Sequence, residues 1–134
     1  MTERATGSFE VKAVHQKPDT QIARAASLGR LTIDKRYHGE LEGTGKGEML
    51  AAQTDTKDSA GYVALERVTG SLKGRNGSFV LQHNGTMDRG KAATTVAVVP
   101  DSGTGELRGL AGRMHIIVAA DGAHSYEFDF RLEP

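Results

Sequence analysis

The sequence predicts an all-β fold, a closed antiparallel barrel of about eight strands with little or no helix. Three observations lead there. Apolar residues recur with period two over run after run of strand length; 17 glycines against 3 prolines leave turn-making to glycine and its Asn and Asp neighbours; and eight or nine such runs are joined by tight turns.

The first strand, near residues 7–16, alternates Phe9, Val11 and Ala13. Thr20 to Leu28, with Ile22, Ala23, Ala25 and Ala26, is the only stretch suited to a helical turn or two. The second strand, near 28–38, puts Leu31, Ile33, Lys35 and Tyr37 on one side and Asp34, Arg36 and His38 on the other, an exposed charged face. In the strand near 40–53, Glu48 shares parity with Leu50, so it is a candidate inward residue as well as an ordinary solvent-facing one. Strands near 61–72 and 77–88 flank Asn76-Gly77, a dipeptide that tolerates positive φ. Asn84-Gly85 interrupts a run and reads as a bulge or bend. Runs near 91–99, 105–109 and 112–120 follow, and Asp121-Gly122 turns the chain into 124–132. There His124, Tyr126, Phe128, Phe130 and Leu132 share one face, and Ser125, Glu127, Asp129 and Arg131 the other.

Closure follows from the edges, because open edge strands pair with other chains and edge proline is scarce here. Gly39-Glu40-Leu41-Glu42-Gly43 echoes Gly105-Glu106-Leu107-Arg108-Gly109, which suggests two similar barrel corners. The 134 residues form one expected domain, 1–134, with an ordered core over about 7–132. Leu, Ile, Val and Phe number only 27, so the core is economical.

Seventeen basic residues balance seventeen acidic ones without blocks of like charge, so nothing marks a nucleic-acid or anionic-lipid surface. No apolar run at the amino terminus reads as a signal or membrane span, and a cytoplasmic protein is expected. With no cysteine, thiolate metal sites, disulfides and thiol nucleophiles are out. The five histidines lack ligand spacing, there is no Gly-x-Ser-x-Gly elbow, and Gly43-Thr44-Gly45-Lys46-Gly47 fails the spacing of a phosphate loop. No metal and no cofactor are expected.

Glu66 and His83 are the candidate catalytic pair. A four-residue loop, Lys73 to Asn76, sets them opposite each other; a two-residue Asn76-Gly77 loop leaves them on one face, roughly 13 Å apart at about 3.3 Å per residue. Either register keeps them among Ala64, Val68, Phe79 and Leu81. A carboxylate beside an imidazole in apolar surroundings orients the ring and tunes it for proton transfer; a cross-strand ion pair on a wet face is the plainer reading. Tyr62, Glu48, Phe79, Leu81 and Tyr126 are the candidate ligand-binding residues around that pair.

Longer strings carry a resemblance: Leu31-Thr32-Ile33-Asp34-Lys35, Gly47-Glu48-Met49-Leu50, Gly61 to Glu66, Gly77 to His83, Val99 to Leu107, and His124 to Phe128. Together, over about Gly7 to Leu132, they are similar to a bacterial family of small domains of unknown function grouped with the allene oxide cyclase barrels. The resemblance implies an eight-stranded barrel with a partly apolar interior, in a group that includes cofactor-free cyclases and isomerases. It places no catalytic motif on these residues. Three functions are therefore expected in order: binding of a small, partly hydrophobic ligand in the barrel; a cofactor-independent isomerase or cyclase using Glu66 and His83; and a homodimer or higher homo-oligomer acting as a structural or interaction module.

Overall fold

The computed structural model describes residues 2–133; Met1 and Pro134, the ends of the expected domain, lie outside them. Eight strands run in chain order around a closed antiparallel barrel: β1 Glu3–Gln16, β2 Gly29–Gly39, β3 Leu41–Gln53, β4 Ala60–Leu72, β5 Arg75–Asp88, β6 Lys91–Val98, β7 Leu110–Val118 and β8 His124–Leu132. A six-residue helix, α1 (Gln21–Ala26), links β1 to β2. Its Thr20 hydroxyl accepts from the Ala23 N–H, as an N-cap does, and none of its residues is buried.

Several sequence expectations are corrected in detail. β1 begins at Glu3 rather than Gly7, because Ala5 already faces the core opposite Phe128. The run at 105–109 is no strand but a 3₁₀ turn, Gly105–Leu107, since Gly105 and Gly109 sit at φ 59° and 81°, outside extended geometry. The two glycine-flanked echoes differ in form, a β corner and a 3₁₀ turn, but share a positive-φ first glycine (Gly39 and Gly105), a glutamate that accepts a backbone N–H (Glu40 from Thr6, Glu106 from Asn76) and a fully buried leucine, Leu41 or Leu107.

The β4–β5 turn is Lys73-Gly74, with φ 47° and 85° as a type I′ turn requires, and Leu72 pairs with Arg75. Asn76-Gly77 lies inside β5. There a β-carbon at Gly77 would collide with the Thr104 carbonyl, whose segment crosses the strand. Asn84-Gly85 makes no bulge, since the register runs unbroken from Ala60 opposite Met87 to Leu72 opposite Arg75. Gly85 instead makes room for the Tyr62 ring, 2.5 Å from where its β-carbon would stand.

One end of the barrel is filled. Leu41, Leu72, Leu107 and Leu110 close it beneath a layer of Tyr37, Phe79, Tyr126, Phe128 and Phe130, all buried, with Phe79 stacked on Phe128 at 5.8 Å. The Tyr126 hydroxyl accepts from the Leu41 N–H at 2.9 Å, and the carbonyls of Leu41 and His38 lie at 2.9 and 3.0 Å for its proton. Tyr126→Phe strands these buried backbone groups and is expected to lower stability by about 1–3 kcal/mol, read as a lower urea midpoint at unchanged slope.

The opposite end is open. Inward-facing Ala13, Met87, Thr94 and Val118 are exposed there, and Leu31, Met49, Ala51 and Tyr62 are half-buried. β6 and β7 are joined by a single bridged pair, Ala97 with Arg113.

Candidate functional site

Between the filled and open halves sits a cluster of four polar side chains. Glu66 on β4 and His83 on β5 point inward, as alternation with Ala64, Val68, Phe79 and Leu81 requires. The register is neither of the two expected: Glu66 pairs with Leu81 and His83 with Ala64, so the two side chains meet on the diagonal. They touch, with His83 Nε2 2.8 Å from Glu66 Oε1.

The other two members come from β2, a strand away. Lys35 Nζ donates to Glu66 Oε1 at 3.1 Å and the Tyr37 hydroxyl donates to Oε2 at 2.5 Å. They reach Glu66 across β3 because the inward positions of that strand are Gly43, Gly45 and Gly47, opposite Tyr37, Lys35 and Ile33. The glycine-rich run that fails as a phosphate loop is a lane without side chains, over which two long side chains lie. Lys35 also stands 4.8 Å from the Phe9 ring centroid and 5.7 Å from that of Tyr37.

Glu66 is wholly enclosed, whereas His83 and Lys35 keep 5% and 7% exposure. Burial is the largest influence on the Glu66 carboxyl and pushes its pKa up. The hydrogen bond from His83, the Lys35 charge, the Tyr37 hydrogen bond and the His83 charge together outweigh it, and the net shift is downward. Burial, then the Glu66 charge, hold the Tyr37 phenol well above its ordinary value, so it donates as a neutral hydroxyl.

With Glu66 ionised, its three neighbours all act as donors, His83 through Nε2–H, and in the neutral ring that fixes the Nε2 tautomer. Nδ1 then carries a lone pair. It makes no hydrogen bond within the described residues, yet among them no enclosed side-chain nitrogen or oxygen lacks a partner. Nδ1 therefore keeps some exposure, on an inward side chain that is otherwise buried.

The remaining sequence candidates fall elsewhere. Tyr62 faces inward nearer the open end, half-buried against Gly85. Phe79 and Leu81 are enclosed in the core, and Tyr126 is tied to the β2–β3 corner at the filled end. Glu48 does not point inward: the glycines take the inner positions of β3, and Glu48 lies exposed on the outer face, paired with Arg30 at 2.8 Å. Asp34 and Arg36 are exposed on the outer face, with His38 half-buried beside them. Among the described residues no group of three His, Asp or Glu is placed to hold a metal ion.

Sequence reasoning overlooked Lys35 and Tyr37 as site residues. Two signals were available: a lysine in phase with Leu31, Ile33 and Tyr37, and three glycines at alternate positions on the next strand.

A groove of about 700 Å³ lies outside the lumen. Outward residues Leu50, Val63, Leu65, Gln82 and Asn84 of β3, β4 and β5 line it together with Met49, Ala64 and His83 of the row between them, with Arg30 and Glu48 at one edge.

A family model described as a protein of unknown function (DUF3224) matches residues 5–130. A crystal structure of a protein of unknown function from the DUF3224 family of Shewanella oneidensis MR-1 is 46% identical, covers 100% of both chains and superposes with a TM-score of 0.90. None of the curated proteins matches this chain.

Proposed function

The chain belongs to the DUF3224 family, and for this member we propose that it binds a small, partly hydrophobic molecule in the open half of the barrel, its polar end over His83 and Lys35. The observation that carries the reading is His83 Nδ1, a polar atom without a partner among the described residues, beside a Lys35 ammonium that makes a single hydrogen bond. A hydroxyl group suits the position, since it donates to Nδ1 and accepts from the Lys35 ammonium. Half-buried Leu31, Met49 and Tyr62 supply apolar walls above. The chain's balanced charge fits the cytoplasmic setting we assign to it.

The test is ¹⁵N imidazole NMR with straight-chain and cyclic alcohols as probes. Binding is expected to move the His83 Nδ1 resonance saturably, and His83→Phe to weaken it about tenfold, the equivalent of one lost hydrogen bond. Affinity unchanged in His83→Phe, or no response at Nδ1 across the probes, defeats the reading.

The contact between Glu66 and His83 favours a second reading, a cofactor-independent isomerase or cyclase of the allene oxide cyclase kind. Both Glu66 oxygens are already engaged, so the roles divide differently from the sequence expectation. His83 Nδ1 is the base that meets substrate, and Glu66 is the positioning residue that fixes its tautomer.

A further inference from the structure

From the outer groove over β4 we infer that the protein pairs with a second copy of itself, face to face, about a two-fold axis running along β4. Elsewhere the outer wall is charged and laced with polar pairs: Arg4 with Asp129 at 2.7 Å and Asp34 with Lys46 at 2.9 Å as ion pairs, and Glu10 with His38 at 2.6 Å as a hydrogen bond. Over the outer rows Leu50–Val63–Asn84 and Glu48–Leu65–Gln82 that pattern thins to one pair, Arg30 with Glu48 at 2.8 Å. Leu50, Val63 and Leu65 are 45%, 55% and 56% exposed, and Leu28 extends the same surface. Of the ten large apolar side chains that the described residues expose, four lie here. A contiguous apolar patch with a polar rim is the mark of a covered surface.

The rim identifies the occupant. Cross-strand rows are Leu50–Val63–Asn84 and Glu48–Leu65–Gln82, with the apolar residues of β4 central in both. A two-fold axis along β4 sets Val63 and Leu65 against their own copies and carries β3 of one copy over β5 of the other. The Glu48 carboxylate, whose Oε1 is held by Arg30, then meets through Oε2 an amide that can donate to it, the partner's Gln82, and the second half of the contact repeats the first. One edge offers a charged acceptor and the other an uncharged donor, so the surface complements itself. Zero net charge sets no long-range repulsion between copies.

The absence of cysteine makes the test direct. Val63→Cys is expected to form a disulfide-linked dimer on mild oxidation, whereas Val14→Cys, an exposed apolar position on β1, is not. By sedimentation, the wild-type chain is expected to be a dimer at about 100 μM. Val63→Asp with Leu65→Lys, both on the outer face, is expected to weaken it about 100-fold while leaving the circular dichroism spectrum unchanged. A wild-type monomer at that concentration overturns the inference, as does a dimer indifferent to both substitutions. So does a monomer whose groove takes up an apolar dye that the two substitutions exclude, which makes the groove a ligand site instead.

Discussion

Glu66→Ala is expected to destabilise the fold by about 3–5 kcal/mol, because it strips the partner from a buried lysine rather than merely emptying a space. Lys35 is 7% exposed, its ammonium hydrogen-bonded to Glu66 and otherwise facing aromatic rings. Without the carboxylate, Lys35, His83 and Tyr37 lose a common acceptor at once. Glu66→Gln keeps the shape and loses the charge, so it restores little. Replacing both ions, Lys35→Met with Glu66→Leu, removes the unpaired charge and should recover the part of the loss due to Lys35, while Tyr37 and His83 still lack their acceptor. Guanidinium unfolding of the four proteins checks this, and a Glu66→Ala midpoint close to wild type would falsify the account.

The same pair sets an acid limit. The Glu66 carboxyl titrates lower in the folded protein than in the unfolded chain. Its contribution is thus fully present above the unfolded glutamate value, about 4.3, and is lost as pH falls through the lower folded value. Stability measured from pH 7 downward is expected to fall in that acid window, and less steeply when Lys35→Met and Glu66→Leu are combined.

Gly45→Ala is expected to cost about 3 kcal/mol, although it adds one methyl group to a glycine in a strand, where alanine ordinarily helps. A β-carbon at Gly45 would overlap Glu66 Oε2 and stand 3.1 Å from the Tyr37 ring. The carboxylate cannot swing aside cheaply, since three donors hold it inside the barrel. A double-mutant cycle separates this from a general intolerance of β3. With Glu66→Ala already in place the methyl has room, and Gly45→Ala should then cost less than about 1 kcal/mol. Equal costs in both backgrounds would place the strain elsewhere.

The architecture was legible because alternation and glycine turns are local signals. Phe9, Tyr37, Phe79, Leu81, Phe128 and Phe130 all face the core as period two requires. The inward direction of Glu66 and His83 was legible for the same reason, since any register of the β4–β5 hairpin that preserves parity keeps them on one face. What local pattern could not settle was which of several positive-φ candidates closes that hairpin. Lys73-Gly74 turns while the more obvious Asn76-Gly77 does not, because the 99–104 segment crosses Gly77, a contact between distant parts of the chain. Lys35 and Tyr37 stayed hidden for a related reason. A lysine on an apolar face gains its meaning from a carboxylate two strands away and from three glycines on the strand between, a relation that exists only once the sheet is assembled. Glu48 was misdirected by parity with Leu50, which is itself on the outer face.

The one-pair junction between β6 and β7 gives the wall a built-in slot. Every other neighbouring pair is matched over seven residues or more, including β8 on β1, which fastens the rolled sheet where the chain's two end strands meet. Mechanically the molecule is a ribbon clasped at its ends, with its compliance concentrated in a single slit. Val96 and Val98 line one lip on the inner side and Met114 the other, all three buried. Opening that slit would cost one bridged pair and leave intact the β2–β3, β3–β4 and β4–β5 ladders that carry Lys35, Glu66 and His83.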